Sequence, residues 1–192
     1  MKALVLDGSE NDASPLSLAG DQLMERLVKS GREPVRTRLR NLTLKACQGC
    51  FQCWDTHPGL CHFEDDGVGL TRCLAQSDAL VLLTPVSFGG YSSAVKCAME
   101  RAALPNLLPF FKRIKGEIHH PLRYGNPIRL LAVGALRKED AGSENIFRTI
   151  LSRNAKNQQS PAFGAVFVYD GMTSADIEKQ VQCLALETLE VS

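Results

Sequence analysis

Four cysteines fall within fifteen residues, at Cys47, Cys50, Cys53 and Cys61, spaced C-x2-C-x2-C-x7-C. Thiolates in a compact run of this kind can hold a [4Fe–4S] cluster, with Cys61 returning after the Trp54–Leu60 loop as fourth ligand. Tetrahedral zinc is a second reading, although zinc sites favour two separated cysteine pairs. A third is that these are packing cysteines in a structured loop, since Trp54 and Pro58-Gly59 mark a turn between them. The other three, Cys73, Cys97 and Cys183, sit in apolar patterns and read as small buried residues. A total of seven is odd, which argues against a disulfide framework.

Two loops carry different chemistry. Gly8-Ser9-Glu10-Asn11-Asp12-Ala13-Ser14-Pro15-Leu16-Ser17 joins an apolar run to a helical pattern. Hydroxyls and backbone N–H groups at a helix N-terminus suit a phosphate monoester, and capped-turn chemistry alone would also account for the composition. Neither GxGxxG nor GxxxxGK[ST] occurs, so the dinucleotide and nucleoside-triphosphate fingerprints are absent. The second loop is Thr84-Pro85-Val86-Ser87-Phe88-Gly89-Gly90-Tyr91-Ser92-Ser93. Its proline and glycines let backbone approach a flat ligand, Phe88 and Tyr91 offer aromatic faces, and backbone amides there can bond the polar edge of a flavin. The bland reading is a turn with two packing aromatics. No G-x-S-x-G is present, and clustered cysteines do not resemble a single nucleophile beside a histidine, so hydrolase readings are weak. His119 and His120 are adjacent and point apart on an extended chain, which disfavours a metal pair.

Alternating elements must position these loops. Continuous apolar runs predict strands at Ala3–Leu6, Ala79–Thr84, Ile128–Leu136 and Ala162–Tyr169, the second ending at Pro85. Pro34–Leu39 alternates charged and apolar residues and reads as an edge strand. Helical spacing is seen from Leu16 to Leu27, closed by Gly31, and from about Gly67 to Gln76. It recurs after Ser92 or Ser93, from Ala141 to Lys156, and from Ser174 to Leu189. Five strands interleaved with helices predict an α/β domain with a parallel sheet covered on both faces. Ligands bind such sheets at the carboxyl ends of the strands, which singles out loops 8–17, 85–91 and 134–142. Residues 104–127 are rich in proline and basic residues and read as an irregular arm, serving as a lid or as an oligomer contact. The positive charge of that arm could also attract the phosphate of a nicotinamide donor.

The chain has 192 residues, 44% of them hydrophobic and 22% charged, with a formal net charge of +1. One domain over 1–192 is expected, with no global sign of nucleic-acid or membrane binding. The N-terminal apolar run is too short for a signal peptide or a span, so a cytoplasmic location is expected.

The stretch Thr84-Pro85-Val86-Ser87-Phe88-Gly89-Gly90-Tyr91-Ser92-Ser93-Ala94-Val95-Lys96, followed by Glu100-Arg101, resembles the second flavin loop and following helix of the NADPH-dependent FMN reductases. Cys47-Gln48-Gly49-Cys50-Phe51-Gln52-Cys53-Trp54, with Pro58-Gly59-Leu60-Cys61 and Asp65-Asp66, is similar to the iron–sulfur flavoprotein branch of that superfamily. The resemblance implies a flavodoxin-like three-layer sandwich with a five-stranded parallel sheet of order 2-1-3-4-5. It also implies non-covalent FMN, with NAD(P)H as electron donor and a quinone, flavin or other small molecule as acceptor. Phosphate contacts are expected from Ser9, Ser14 and Ser17. Ring contacts are expected from Pro85, Val86, Ser87, Phe88 and Gly89, with Gly134 close to the ring edge. No side chain is required as acid or base. A homodimer or homotetramer in which a neighbour helps cover the flavin is implied as well. Two further readings are an electron carrier serving a redox partner protein, with the cysteines as a cluster relay, and a flavin-binding protein without turnover. The first loop departs from the Ser-Pro-Arg of many relatives, reading Ser9-Glu10-Asn11, so it lacks an arginine and carries carboxylates at Glu10 and Asp12. Ser87 stands where tyrosine is common, and Glu100 where aspartate is common.

Overall fold

Strand β1 (Lys2–Asp7) lies between β2 (Glu33–Arg38) and β3 (Ala79–Ser87), followed outward by β7 (Arg129–Leu136) and β8 (Phe163–Tyr169). These five pair in parallel, and their order is the expected 2-1-3-4-5 when only the principal strands are counted. The computed structural model describes residues 1–189; the last three positions of the expected 1–192 domain lie outside the described residues.

Side-chain alternation along the strands sorts the core into two layers. Leu4, Leu6, Leu80, Leu82, Leu130 and Phe167 face α2 (Gly67–Ala75), α3 (Ser93–Ala103) and α4 (Ala141–Asn157). Ala3, Val5, Val81, Leu83, Leu131 and Val168 face α1 (Pro15–Lys29) and α5 (Ser174–Thr188). Both faces of the sheet are thus covered, which explains why its central strands read as unbroken apolar runs. Truncating one of these fully buried leucines to alanine costs about 2–5 kcal/mol.

Two local expectations are corrected. β3 does not stop at Pro85 but runs to Ser87, with Pro85 paired to Ala135 of β7. The Leu83 carbonyl accepts the Gly8 N–H at 2.8 Å, on the β1 side. Strand alternation puts the Pro85 nitrogen on that same side, where β1 has already ended, so its missing N–H deprives no partner. Beyond it, β4 (Gly90–Tyr91) folds back antiparallel on Val86 and Ser87.

Residues 104–127 are not irregular throughout. They hold a 3-10 turn at Leu104–Asn106 and a hairpin of β5 (Lys112–Ile114) and β6 (Glu117–His119). The Lys115-Gly116 turn has positive φ at both residues, 47° and 85°, the geometry that matches strand twist in a two-residue hairpin loop. Glu117 pairs with Arg153 at 2.7 Å and with Lys156, and His119 Nδ1 lies 3.0 Å from Asn157 Oδ1. These contacts anchor the hairpin to the last turns of α4.

The cysteine segment is a loop tied at its neck. Asp65 Oδ2 accepts the Lys45 N–H at 2.9 Å, and Asp66 Oδ2 accepts the Thr43 N–H at 2.7 Å. Beneath them the Arg101 guanidinium of α3 donates to both Asp65 oxygens, at 2.8 and 2.5 Å, and to the Lys45 carbonyl at 2.6 Å. Further along, the Trp54 indole N–H reaches the Leu104 carbonyl at 3.0 Å, and its ring packs on His120 with centroids 4.5 Å apart. The expected arm and the cysteine loop therefore support each other.

Candidate cofactor site at the strand ends

The carboxyl ends of β1, β3, β7 and β8 open onto a cavity of about 540 Å³. One end is the first loop, contributing Ser9, Glu10, Asn11 and Ser14. Its middle is Pro85 and Val86, with Ala135, Leu136 and the Tyr169 ring around them. At the other side stand Arg137, Lys138, Asp140 and Asp170. A cavity of this size, with apolar walls and polar ends, is suited to a small molecule or cofactor. A second cavity of equal volume lies between α1 and α5, away from the strand ends.

The first loop builds an anion-binding end. Ser14 caps α1: its Oγ accepts the Ser17 N–H at 3.1 Å and donates to the Asn11 carbonyl at 3.2 Å. Pro15 opens the helix, where no N–H is needed. The Leu18 N–H bonds the Ser14 carbonyl at 3.1 Å, which leaves the Leu16 N–H as the first-turn donor for an anion, where the helix dipole favours negative charge. Of the two acidic residues of this loop, Glu10 lines the cavity and Asp12 is paired with cations. Asp12 pairs with Arg40 at 2.6 Å and lies 3.4 Å from Arg38; the Arg40 hydrogen bond holds its carboxyl below the usual range. Under the loop, the buried Asp7 carboxylate accepts the Ser9 N–H at 2.9 Å and pairs with Arg36 at 2.8 Å.

The far wall is set by α4 and β8. Asp140 caps α4 through the Gly142 and Ser143 N–H groups, and its hydrogen bonds from Ser143 lower its pKa. Tyr169 donates its hydroxyl to Glu144 at 2.6 Å, and burial together with that carboxylate pushes the phenol up, so it stays protonated.

Of the sequence-predicted contacts, the structure brings Ser9, Ser14, Pro85 and Val86 to the cavity wall. The remaining five lie off that wall. Ser17 is buried, with Oγ 3.3 Å from Arg36 Nη2. Gly134 lies behind the wall, where a Cβ would meet Phe167 Cδ1 at 2.7 Å and Val86 Cγ2 at 2.9 Å. Ser87 and Gly89 belong to the β3–β4 hairpin, whose tip carries Phe88 fully exposed with φ of 49°. Wall residues missed in the sequence include Leu136, Arg137 and Lys138, from the marked loop 134–142, and Tyr169 and Asp170, from the end of β8, which sequence reasoning had not singled out. No residue of 104–127 lines this cavity, so within one chain the segment does not act as its lid.

The four cysteines share the tied loop without forming a ready ligand set. Among the described residues, no group of three or more His, Cys, Asp or Glu side chains is arranged to hold a metal ion. Cys47, Cys50, Cys53 and Cys61, the set expected as cluster ligands, are thiols of one loop in differing environments. Cys50 is exposed, Cys47 and Cys61 are half-buried, and Cys53 is buried. Burial, then the neighbouring Cys61, Cys47 and Cys50, pushes the Cys53 thiol up to about 11. Cys50 Sγ lies 3.5 Å from His62 Nδ1, a partner the spacing of cysteines alone could not reveal.

The family model of the NADPH-dependent FMN reductases matches residues 1–166. An iron–sulfur flavoprotein of Archaeoglobus fulgidus is 28% identical over 122 residues, covering 64% of this chain and 58% of that protein. The iron–sulfur flavoprotein MJ1083 of Methanocaldococcus jannaschii is 26% identical over 155 residues, covering 78% and 69%. In fold, the chain is similar to the NAD(P)H:quinone oxidoreductase from Methanothermobacter marburgensis, with a TM-score of 0.67 at 12% identity over 100% of this chain and 98% of that one. No helix among the described residues is long and apolar enough to cross a membrane.

Proposed function

The chain belongs to the NADPH-dependent FMN reductase family, and on that premise we propose that it is a cytoplasmic flavoenzyme. It binds FMN non-covalently in the strand-end cavity and passes electrons from NAD(P)H to a quinone, a flavin or another small acceptor. The observation that carries this reading is the cavity itself: it is about 540 Å³, and a capped helix N-terminus and apolar strand ends meet in it. FMN, when bound, supplies the hydride and electron chemistry. Ser9, Ser14 and the Leu16 N–H at the start of α1 hold the phosphate. Pro85, Val86 and Leu136 shape the slot for the ring system and keep water from it. Arg137 and Lys138, at the mouth, attract the phosphates of the nicotinamide donor. No acid or base is required of the chain. Assembly as a homodimer or homotetramer is supported by Phe88, whose ring is fully exposed on the hairpin next to Pro85 and Val86.

Titration of the protein with FMN, followed by flavin fluorescence, tests the site. Saturation at one flavin per chain is expected, with binding lost in Leu136→Trp, which fills the cavity. Unchanged binding by that variant would place the flavin elsewhere.

A second reading, an electron-transfer flavoprotein with a [4Fe–4S] cluster, is favoured by four thiols on one tied loop and by the relatives named iron–sulfur flavoproteins. The donor chemistry suits that group, although among the described residues no three such donors are gathered around one point. Iron and acid-labile sulfide assayed on anaerobically purified protein decide the question: about four of each per chain are expected on this reading.

A further inference from the structure

A loop that is to receive a phosphate carries two carboxylates, Glu10 and Asp12, at the mouth of α1. Left alone, they oppose the field by which a helix N-terminus attracts an anion. The cations that answer Asp12 come from another element, Arg38 at 3.4 Å and, more closely, Arg40. Arg40, in the turn after β2, donates Nη1 to the Ser9 carbonyl at 3.1 Å and to Ser9 Oγ at 3.3 Å, and Nη2 to Asp12 Oδ1 at 2.6 Å. One planar guanidinium thus fixes the backbone of a cavity-wall residue and cancels the charge of a loop carboxylate, as its fork geometry allows. Because Arg40 follows β2, the pair ties Asp12 toward the β2 side of the loop. The cavity is bounded on its other side by the ends of β3, β7 and β8.

We propose that Arg40 is a positioning residue for recognition of the flavin phosphate: by holding Ser9 and neutralising Asp12, it makes an acidic loop receptive to a doubly charged phosphate, so the chain selects FMN over riboflavin. This rests on the FMN reading above. Arg40 acts through Ser9 and Asp12 and is not itself a wall of the cavity.

The test is titration of the full chain with FMN and, separately, with riboflavin, which shares the ring and lacks the phosphate. Arg40→Ala should weaken FMN about fivefold or more and leave riboflavin within about twofold, the scale of one charged contact near solvent. Asp12→Asn, at an exposed position that does not threaten folding, should tighten FMN about threefold by freeing Arg40. The double variant should bind FMN more tightly than Arg40→Ala and less tightly than the unaltered chain, because the charge is rebalanced while the hold on Ser9 stays lost. Equal weakening of both flavins by Arg40→Ala would make Arg40 a general brace and overturn the proposal. No change in FMN affinity in either single variant would overturn it too. An unaltered chain that binds neither flavin would instead bring down the FMN reading, and this proposal with it. If Arg40→Ala does not fold, the sign of the Asp12→Asn effect decides.

Discussion

The Arg101 guanidinium and the Asp65 carboxylate meet at 2.5 Å beneath the neck of the cysteine loop, with only 1% and 5% of their side chains exposed. Arg101 lies on the same face of α3 as Ala98 and Ala102, so the helix that packs the core also anchors the loop. Asp65→Asn or Arg101→Met leaves a buried charge without its partner and should cost about 3–5 kcal/mol. Thermal unfolding measures the cost, and limited proteolysis should show cleavage within residues 46–64 before the sheet opens.

The same pair sets an acid limit. The Arg101 hydrogen bond is the main reason the Asp65 carboxyl sits at about 2, below an unfolded value of about 3.9. Its contribution is therefore complete above about pH 4 and is lost as the pH falls through about 2. Unfolding midpoints recorded between those values should fall less steeply in Asp65→Asn than in the unaltered chain. Equal slopes would contradict the assignment.

Ser14 has two duties, capping α1 and lining the cavity. Ser14→Ala should lower stability by about 1 kcal/mol, the usual cost of a lost N-cap, while Ser14→Gly costs a few tenths. Both variants should bind FMN more weakly, because both lose the hydroxyl. Comparing denaturant midpoints with flavin titrations separates the two duties.

Gly134 leaves no room for a methyl group between the Phe167 ring and Val86. Gly134→Ala should destabilise by about 1–3 kcal/mol through overpacking. Since Val86 is a cavity wall, flavin affinity should fall with it. Chemical denaturation and FMN titration on the same sample check both.

The central strands were legible because a sheet covered on both faces needs short unbroken apolar runs such as Leu80-Val81-Leu82-Leu83; their order was implied by the family resemblance. The strand-end rule also marked three of the segments that form the cavity, but not the end of β8. What escaped were contacts between distant segments. Arg40 and Asp12 are far apart in sequence, and only the parallel pairing of β1 and β2 brings them together. Arg101 carried a signal: its spacing from Ala98 places an arginine on a buried face, which demands a carboxylate partner, here Asp65. The β5–β6 hairpin was hidden because Lys112-Arg113-Ile114 lacks apolar alternation. Lys115-Gly116 was its one turn signal.

Thiol chemistry in the cysteine loop should follow exposure and pKa. In metal-free protein, Cys50, exposed and 3.5 Å from His62 Nδ1, should alkylate well before Cys53, which is buried and raised to about 11. Timed alkylation with peptide mass spectrometry reads the order. Equal rates would mean that the loop is open in solution.

The most direct test of the central claim is the visible spectrum of the protein purified without oxygen, before and after adding NADPH. The account predicts flavin bands at one FMN per chain, retained or taken up from added FMN, that bleach with the nicotinamide donor. A colourless protein that takes up no added FMN would contradict it and leave the strand-end cavity without its assigned cofactor.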